Sequence, residues 1–352
     1  MQERLSRFDI MKAIGIYLVV VGHLLNRMSY DKSGIIFFLH MPVFFFVSGY
    51  FSEKSLEKYE IWVFCKKKVV SLVIPYIIWS GVSLLANALS AFIGGQISSE
   101  WLLNESVDIF LCARSVWFLI ALFFSHVLYA FIRKICRKLK MGKATVACCF
   151  VLWIVASSIL PDHILAFYKV KWLFPFMIFG GIAANIKTAF RAEKWQVFAG
   201  TVVFILASVL LYEEKMAEVY SEFLYTNLLE IAIGVVYYAI SSLGIWCLYE
   251  WSGYIANIDQ LKEKMCMVGR RSIDIYVAHM LVIKFFFFIP RLIQQSKIMI
   301  VLYACIYAFI VVVCIAVVSD KYLKHIKIYN LAVGAKKESA GENIRMERRT
   351  LL

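Results

Sequence analysis

Residues 9–51 read DIMKAIGIYLVVVGHLLNRMSYDKSGIIFFLHMPVFFFVSGYF. Two apolar runs flank a short polar bend, and each carries one histidine, His23 and His40, where a membrane span normally carries none. A run of about 20 apolar residues crosses a bilayer as an α-helix, because a helix satisfies its own backbone in hydrocarbon. With the bend at Asp31 and Lys32, His23 lies eight residues before Asp31 and His40 eight after Lys32. An antiparallel helical hairpin then sets both rings at similar depth, about 12 Å from the bend at about 1.5 Å per residue. Lys12 precedes His23 by eleven residues. Eleven steps of about 100° leave the two about 20° apart around the helix and roughly 16 Å apart along it. One face of the first helix is thus expected to hold a cation near one membrane surface and an imidazole near the other.

The composition around this hairpin agrees with it. The 352 residues are 62% apolar and 16% aromatic, with a mean hydropathy of +0.74, whereas a water-soluble globule is about 45–50% apolar. The fold class is therefore all-α, a polytopic membrane protein with about ten transmembrane helices, at 10–28, 34–52, 69–93, 114–132, 144–160, 172–186, 195–212, 226–249, 272–289 and 298–319. Residues 1–319 form the transmembrane domain, and 320–352 are expected to be a polar cytoplasmic tail, disordered beyond Gly334. The first apolar stretch is too long for a cleavable signal peptide and carries Lys12 and His23, so it reads as a retained span. The loop at 94–113 is too short to fold alone, and its Trp101 and Leu102 suit a short interfacial helix.

A net charge of +14 would suggest nucleic acid in a soluble chain, but here the basic residues must first be sorted by loop. With the amino terminus inside, 28 of the 38 lysines and arginines fall on inner segments and 8 on outer loops, Lys12 and Lys284 lying within spans. The asymmetry puts both termini in the cytoplasm and leaves membrane lipid, not nucleic acid, as the partner of that charge. The nine cysteines contain no CxxC pair and lie in or beside apolar runs, so neither a disulfide framework nor a metal site is expected.

A buried ionisable group costs at least about 2.5–3.5 kcal/mol on insertion scales, so each one in a span requires a partner, a wet cavity or a function. The set is short: Asp9, Lys12, His23, His40, His126, Glu230, Asp274, His279 and Lys284. Asp9 and Lys12, three apart, can pair with each other. Two facing imidazoles suit a base and its orienter, since a neutral ring accepts a proton while its other nitrogen is held. Pro42 kinks the His40 helix, and Ser48-Gly49 lets a helix or a ligand approach closely. Lys66, Lys67 and Lys68 meet anionic lipid or a phosphate, and Arg270 and Arg271 are expected at the same surface. Asp274, Tyr276 and His279 fall within two turns. His126, without a charged neighbour in sequence, reads as a packed or hydrogen-bonded core residue.

Six segments together resemble the acyltransferase-3 family of integral membrane acyltransferases, in particular its fucose O-acetylase-like branch. They are FDIMKAIGIYLVVVGH (8–23), FFLHMPVFFFVSGYF (37–51), KKKVVSLVIPYIIW (66–79), SVWFLIALF (115–123), KWLFPFMIFGGI (171–182) and GRRSIDIYVAH (269–279). The resemblance implies about ten spans in the plasma membrane and transfer of an acetyl group from cytoplasmic acetyl-coenzyme A to a hydroxyl of a surface glycan or its lipid-linked saccharide precursor. Where the family usually has arginine eleven residues before its essential histidine, this chain has Lys12, which cannot form a bidentate fork.

On that resemblance His23 is the catalytic base or acyl carrier, and His40 orients it or steadies the oxyanion. Lys12, Lys66, Lys67, Lys68, Arg270 and Arg271 are the expected contacts of the donor, whose pantetheine arm is comparable in reach to the Lys12–His23 separation. Asp9, Ser48, Trp117, Trp172 and His279 are the expected substrate contacts, the tryptophans serving equally as interfacial anchors. No metal is implied. The alternative is a proton-coupled transporter or exporter relaying protons through His23, His40, Glu230, Asp274 and His279, which predicts inverted repeats.

Overall fold

An apolar chain can satisfy its backbone in lipid only by coiling on itself, and the computed structural model is helical throughout, with no strand among the described residues. It describes residues 2–30, 33–139, 153, 164–186, 192–211, 228–288 and 296–334. The helices are α1 (Gln2–Arg27), α2 (His40–Leu56), α3 (Ile61–Lys68), α4 (Ile74–Ile93), α5 (Ser99–Phe110), α6 (Trp117–Lys138), α7 (Phe167–Asn185), α8 (Lys194–Leu211), α9 (Leu228–Ile255), α10 (Asp259–Arg270), α11 (Ser272–Phe286), α12 (Lys297–Lys321) and α13 (Lys327–Ala332). A 3-10 turn at Ser33–Phe38 leads into α2, and a π-turn at Val69–Val73 joins α3 to α4.

Seven stretches among the described residues are long and apolar enough to cross a membrane: Leu5–Arg27, Ile35–Leu56, Ile61–Ile93, Trp117–Lys138, Lys194–Leu211, Ile233–Ile255 and Lys297–His325. They correspond to seven of the ten expected spans. Two further expected spans, at 172–186 and 272–289, are the helices α7 and α11. The remaining one, 144–160, lies outside the described residues except Trp153, as do the expected bend at Asp31 and Lys32 and the chain beyond Gly334. The third span begins earlier than the hydropathy suggests. Pro75 at the start of α4 has no N–H to offer the Ser71 carbonyl, and the π-turn just before it lets the helix continue back through α3.

The helices gather into two units, one of residues 1–44 and 187–323, the other of residues 45–186 and 324–352. In the first unit α1 is central and packs against α9, α10, α11 and α12. Ile10 is buried with Ala256 and Cys266, and the Tyr17 hydroxyl donates to the Cys305 carbonyl at 3.1 Å. Arg7 lies 3.8 Å from Glu250 and 5.0 Å over the Tyr249 ring, so the polar start of α1 is clasped by the end of α9.

In the second unit α2 and α7 touch backbone to backbone, because Gly49 and Gly180 leave room where a side chain would collide with Met177 and Phe46. Glu53, buried near the end of α2, accepts from Arg133 Nε and the Tyr129 hydroxyl, both at 2.7 Å, and pairs with Arg133 through a second nitrogen as well. The segment 94–113 holds α5, capped by Ser98, whose hydroxyl accepts from the Trp101 amide.

One tight helix contact in the first unit is testable. A Cβ on Gly269 of α10 would stand 1.9 Å from the Asp9 carbonyl oxygen, which belongs to main chain and cannot swing aside. Gly269→Val should cost about 1–3 kcal/mol or more and lower the thermal midpoint of the detergent-solubilised protein. Gly81→Ala, whose added carbon meets open space, should leave that midpoint unchanged or slightly higher.

Candidate active site

His23 sits in the last turns of α1 and is partly exposed. Against it lies His279 of α11, the two ring centroids 5.1 Å apart and the planes tilted by 43°. His279 is 1% exposed. Its Nδ1 lies 2.6 Å from the Tyr276 carbonyl oxygen and 3.1 Å from that of Ile275. A carbonyl oxygen only accepts, so Nδ1 carries the proton and donates it to the backbone. The neutral ring is thereby fixed in one tautomer, with Nε2 a bare lone pair. Among the described residues that Nε2 is buried and meets no hydrogen-bond partner. The pair therefore joins an accessible imidazole to a buried ring that can only accept.

The sequence led to His40 as the ring facing His23 at equal depth. The structure corrects the depth. A Cβ built on Gly15 would stand 3.7 Å from the His40 carbonyl oxygen and 3.1 Å from the Phe44 ring, so the His40 main chain is level with Gly15, eight residues and about 12 Å below His23 along α1. The 3-10 turn Ser33–Phe38, which rises about 2.0 Å per residue rather than about 1.5, carries His40 about 3 Å deeper and so accounts for part of that offset. The His40 ring turns back the other way. Its Nδ1 lies 2.7 Å from the Ile36 carbonyl oxygen, and Ile36 packs on Gly22, the residue before His23. His40 is buried, with the Phe37 ring 4.9 Å away.

Lys12 and Asp9 are both buried, and the Lys12 ammonium lies 3.0 Å from Asp9 Oδ1. The local pairing foreseen for residues three apart on a helix is thus made. Arg271 donates from Nε at 3.2 Å and Nη2 at 2.9 Å to one oxygen of Asp320, whereas Arg270 is exposed. Asp274 is buried in the first turn of α11. The Glu230 side chain lies outside the described residues.

The other expected site residues belong to the second unit. Ser48 is buried, and its carbonyl accepts from the Ser52 hydroxyl at 2.7 Å. Trp117 is partly exposed with Lys169 Nζ 5.3 Å over its ring, and Trp172 is buried. The three lysines divide: Lys66 is exposed, Lys67 lies 3.0 Å over the Tyr59 ring, and Lys68 is buried. His126 is buried and hydrogen bonded, as a core histidine should be. Among the described residues no three His, Cys, Asp or Glu side chains gather as metal ligands.

Fold and site define a multi-pass helical membrane protein with a buried imidazole set against a partly exposed one. The chain belongs to the acyltransferase-3 family, whose model, described as an acyltransferase domain, matches residues 5–319. It is 25% identical over 193 residues to the nodulation protein NolL of Mesorhizobium japonicum, covering 51% of this chain and 47% of that protein. To the nodulation protein NolL of Sinorhizobium fredii it is 26% identical over 190 residues, 51% of this chain and 48% of that one. The chain thus spans about half the length of these curated relatives. No solved structure matches it. Family membership favours the acyltransferase over the transporter reading of the buried ionisable groups.

The buried ion pair has a measurable signature. Asp9→Asn leaves the Lys12 ammonium uncompensated and should cost about 3–5 kcal/mol, lowering the thermal midpoint in detergent. Adding Lys12→Met to Asp9→Asn should recover most of that loss. A double variant no more stable than the single one would show that the pair does not hold this end of α1.

Proposed function

We propose that the protein is an O-acetyltransferase of the plasma membrane, with both termini cytoplasmic, that takes an acetyl group from acetyl-coenzyme A. It delivers the group to a hydroxyl of a surface polysaccharide or its lipid-linked precursor. The observation that carries this reading is the contact of His23 with His279, one ring accessible and the other buried and fixed as an acceptor. Support for the reaction class comes from the family, and the net excess of basic residues on one set of loops supports the orientation.

In this mechanism His23 takes the proton of the acceptor hydroxyl as the oxygen attacks the thioester carbonyl. The imidazolium formed on His23 stands beside a ring that presents a lone pair and no proton, so a small turn of either ring gives an N–H···N hydrogen bond that steadies the charge. Collapse of the tetrahedral intermediate breaks the carbon–sulfur bond. His23 returns its proton to the departing coenzyme A thiolate and is neutral again. His40, its Nδ1 held by the Ile36 carbonyl, is assigned the orienting of a substrate group or the oxyanion. Lys12, already paired with Asp9, meets the donor as half of a neutral pair rather than as a lone cation.

Acetyl-labelled coenzyme A supplied to one face of sealed vesicles should label a glycan acceptor, whereas a transporter would label none. His23→Ala should cut transfer by about 10²–10⁴-fold at unchanged protein level. His279→Phe keeps the packing but removes the lone pair, and should lower kcat by a smaller factor while leaving the donor KM unaltered. Full activity in His23→Ala would remove that ring from the chemistry.

A further inference from the structure

At one end of the second unit a cation stands among aromatic rings with no carboxylate beside it among the described residues. Lys169 lies in the first turn of α7, its Nζ 5.3 Å from the centre of the Trp117 ring and 4.7 Å from that of Tyr168. All three side chains are partly exposed, so the group meets solvent directly. An ammonium carries three N–H donors, and among the described residues those of Lys169 meet no acceptor. Glu105 and Asp108 of α5 are both taken by Arg114. The start of α7 adds to the positive charge. Its first turn holds no acidic residue and its N-cap, Ala166, offers no side-chain hydrogen bond, so a lysine stands at the positive end of the helix dipole, where a cation is unfavourable and an anion welcome.

Two features mark the arrangement as built. A lysine that only anchors a helix at a membrane surface stretches its ammonium out to water, whereas Lys169 folds back over two rings. The loops that present these residues are also strained: Ala113, before Trp117, and Leu165 and Ala166, before Lys169, hold left-handed backbone at φ of 53°, 50° and 57° without being glycine. The Leu165 amide ties the two loops together, donating to the Leu111 carbonyl at 2.7 Å. What suits such a group is a ring with an apolar face to lie on the indole and a negative charge at its edge for the ammonium.

Trp117 begins α6, and Arg133, Lys134, Arg137 and Lys138 lie at its other end. With that basic end cytoplasmic, Trp117 and Lys169 face the side where the proposed acceptor lies. We propose that Trp117, Tyr168 and Lys169 form the recognition platform for the acceptor, and that this acceptor is an acidic saccharide: the sugar ring lies against Trp117 and its carboxylate accepts from the Lys169 ammonium. The choice of ligand rests on the O-acetyltransferase reading above, but its test measures binding and not transfer.

Saturation-transfer NMR on the full chain in detergent compares methyl β-glucuronide with methyl β-glucoside, which share the ring and differ in the carboxylate. The glucuronide should bind about tenfold more tightly, the worth of one hydrogen bond to a charged group. Lys169→Met should abolish that preference while leaving the glucoside unchanged, Lys169→Arg should keep it, and Trp117→Ala should weaken both sugars alike. Lys169 is partly exposed, so its variants read the site even where Trp117→Ala does not fold. His23→Ala should bind the glucuronide as wild type does, which separates a failure of acetyl transfer from a failure of the platform. Equal affinity for the two sugars, binding of neither, or a preference that survives Lys169→Met would overturn the proposal. Phosphatidylglycerol that co-purifies with the wild type but not with Lys169→Met, with no glucuronide bound, would overturn it too and give the cation to a lipid headgroup.

Discussion

In an interior without water, a polar side chain is either paired within the protein or carries its full desolvation cost, and that constraint arranges the buried polar residues of this chain. Asp9 and Lys12 neutralise each other within one turn of α1. Glu53, nearly inaccessible, is held by Arg133 and the Tyr129 hydroxyl from α6. Arg271 takes Asp320. Each is an ion pair or charge-assisted bond whose partner comes from the same helix or from one packed on it within the same unit. Against that background of satisfied groups, the Nε2 atoms of His279 and His126 are conspicuous for meeting none.

Much of this was legible in the sequence, because apolar periodicity and length are local properties. The helical class, the Asp9–Lys12 pairing and the buried state of His126 all follow from residues close together in the chain. The partner of His23 was not legible in the same way. His279 stands in α11, and nothing in the spacing of one helix says which distant helix will pack on it; the motif SIDIYVAH marked it as an unusual residue without placing it. The hairpin was read as symmetric because both arms were taken as α-helix, and the 3-10 turn before His40 is one departure from that assumption. No residue in Ser33–Phe38 announces the tighter rise, since Gly, Ile and Phe are tolerated in either helix.

The lysine triplet was likewise uniform only as a string. On α3 successive residues turn about 100°, so three adjacent lysines necessarily face three directions. Lys66 reaches the exterior, Lys67 lies on Tyr59 and Lys68 is carried inside. A phosphate contact and a buried hydrogen-bond donor are different uses of one residue type, and the helix decides which use each lysine can have. Glu53 was passed over for a related reason: it stands where a span was expected to end, and α2 runs on to Leu56 with Glu53 turned inward.

The three buried histidines are each held through Nδ1, two of them by backbone carbonyls of the preceding turn. His40 is pinned through Nδ1 by the Ile36 carbonyl, His279 by those of Tyr276 and Ile275, and His126 by a serine hydroxyl already committed to a carbonyl. In many soluble sites a carboxylate does this work, but it would add an ion to be desolvated, a cost that a membrane interior exacts heavily. A backbone carbonyl one turn away is already present in any helix, is uncharged and can only accept. It therefore selects the tautomer at little electrostatic cost. The same local geometry that lets these rings exist in an apolar bundle is what gives each of them a single chemical sense.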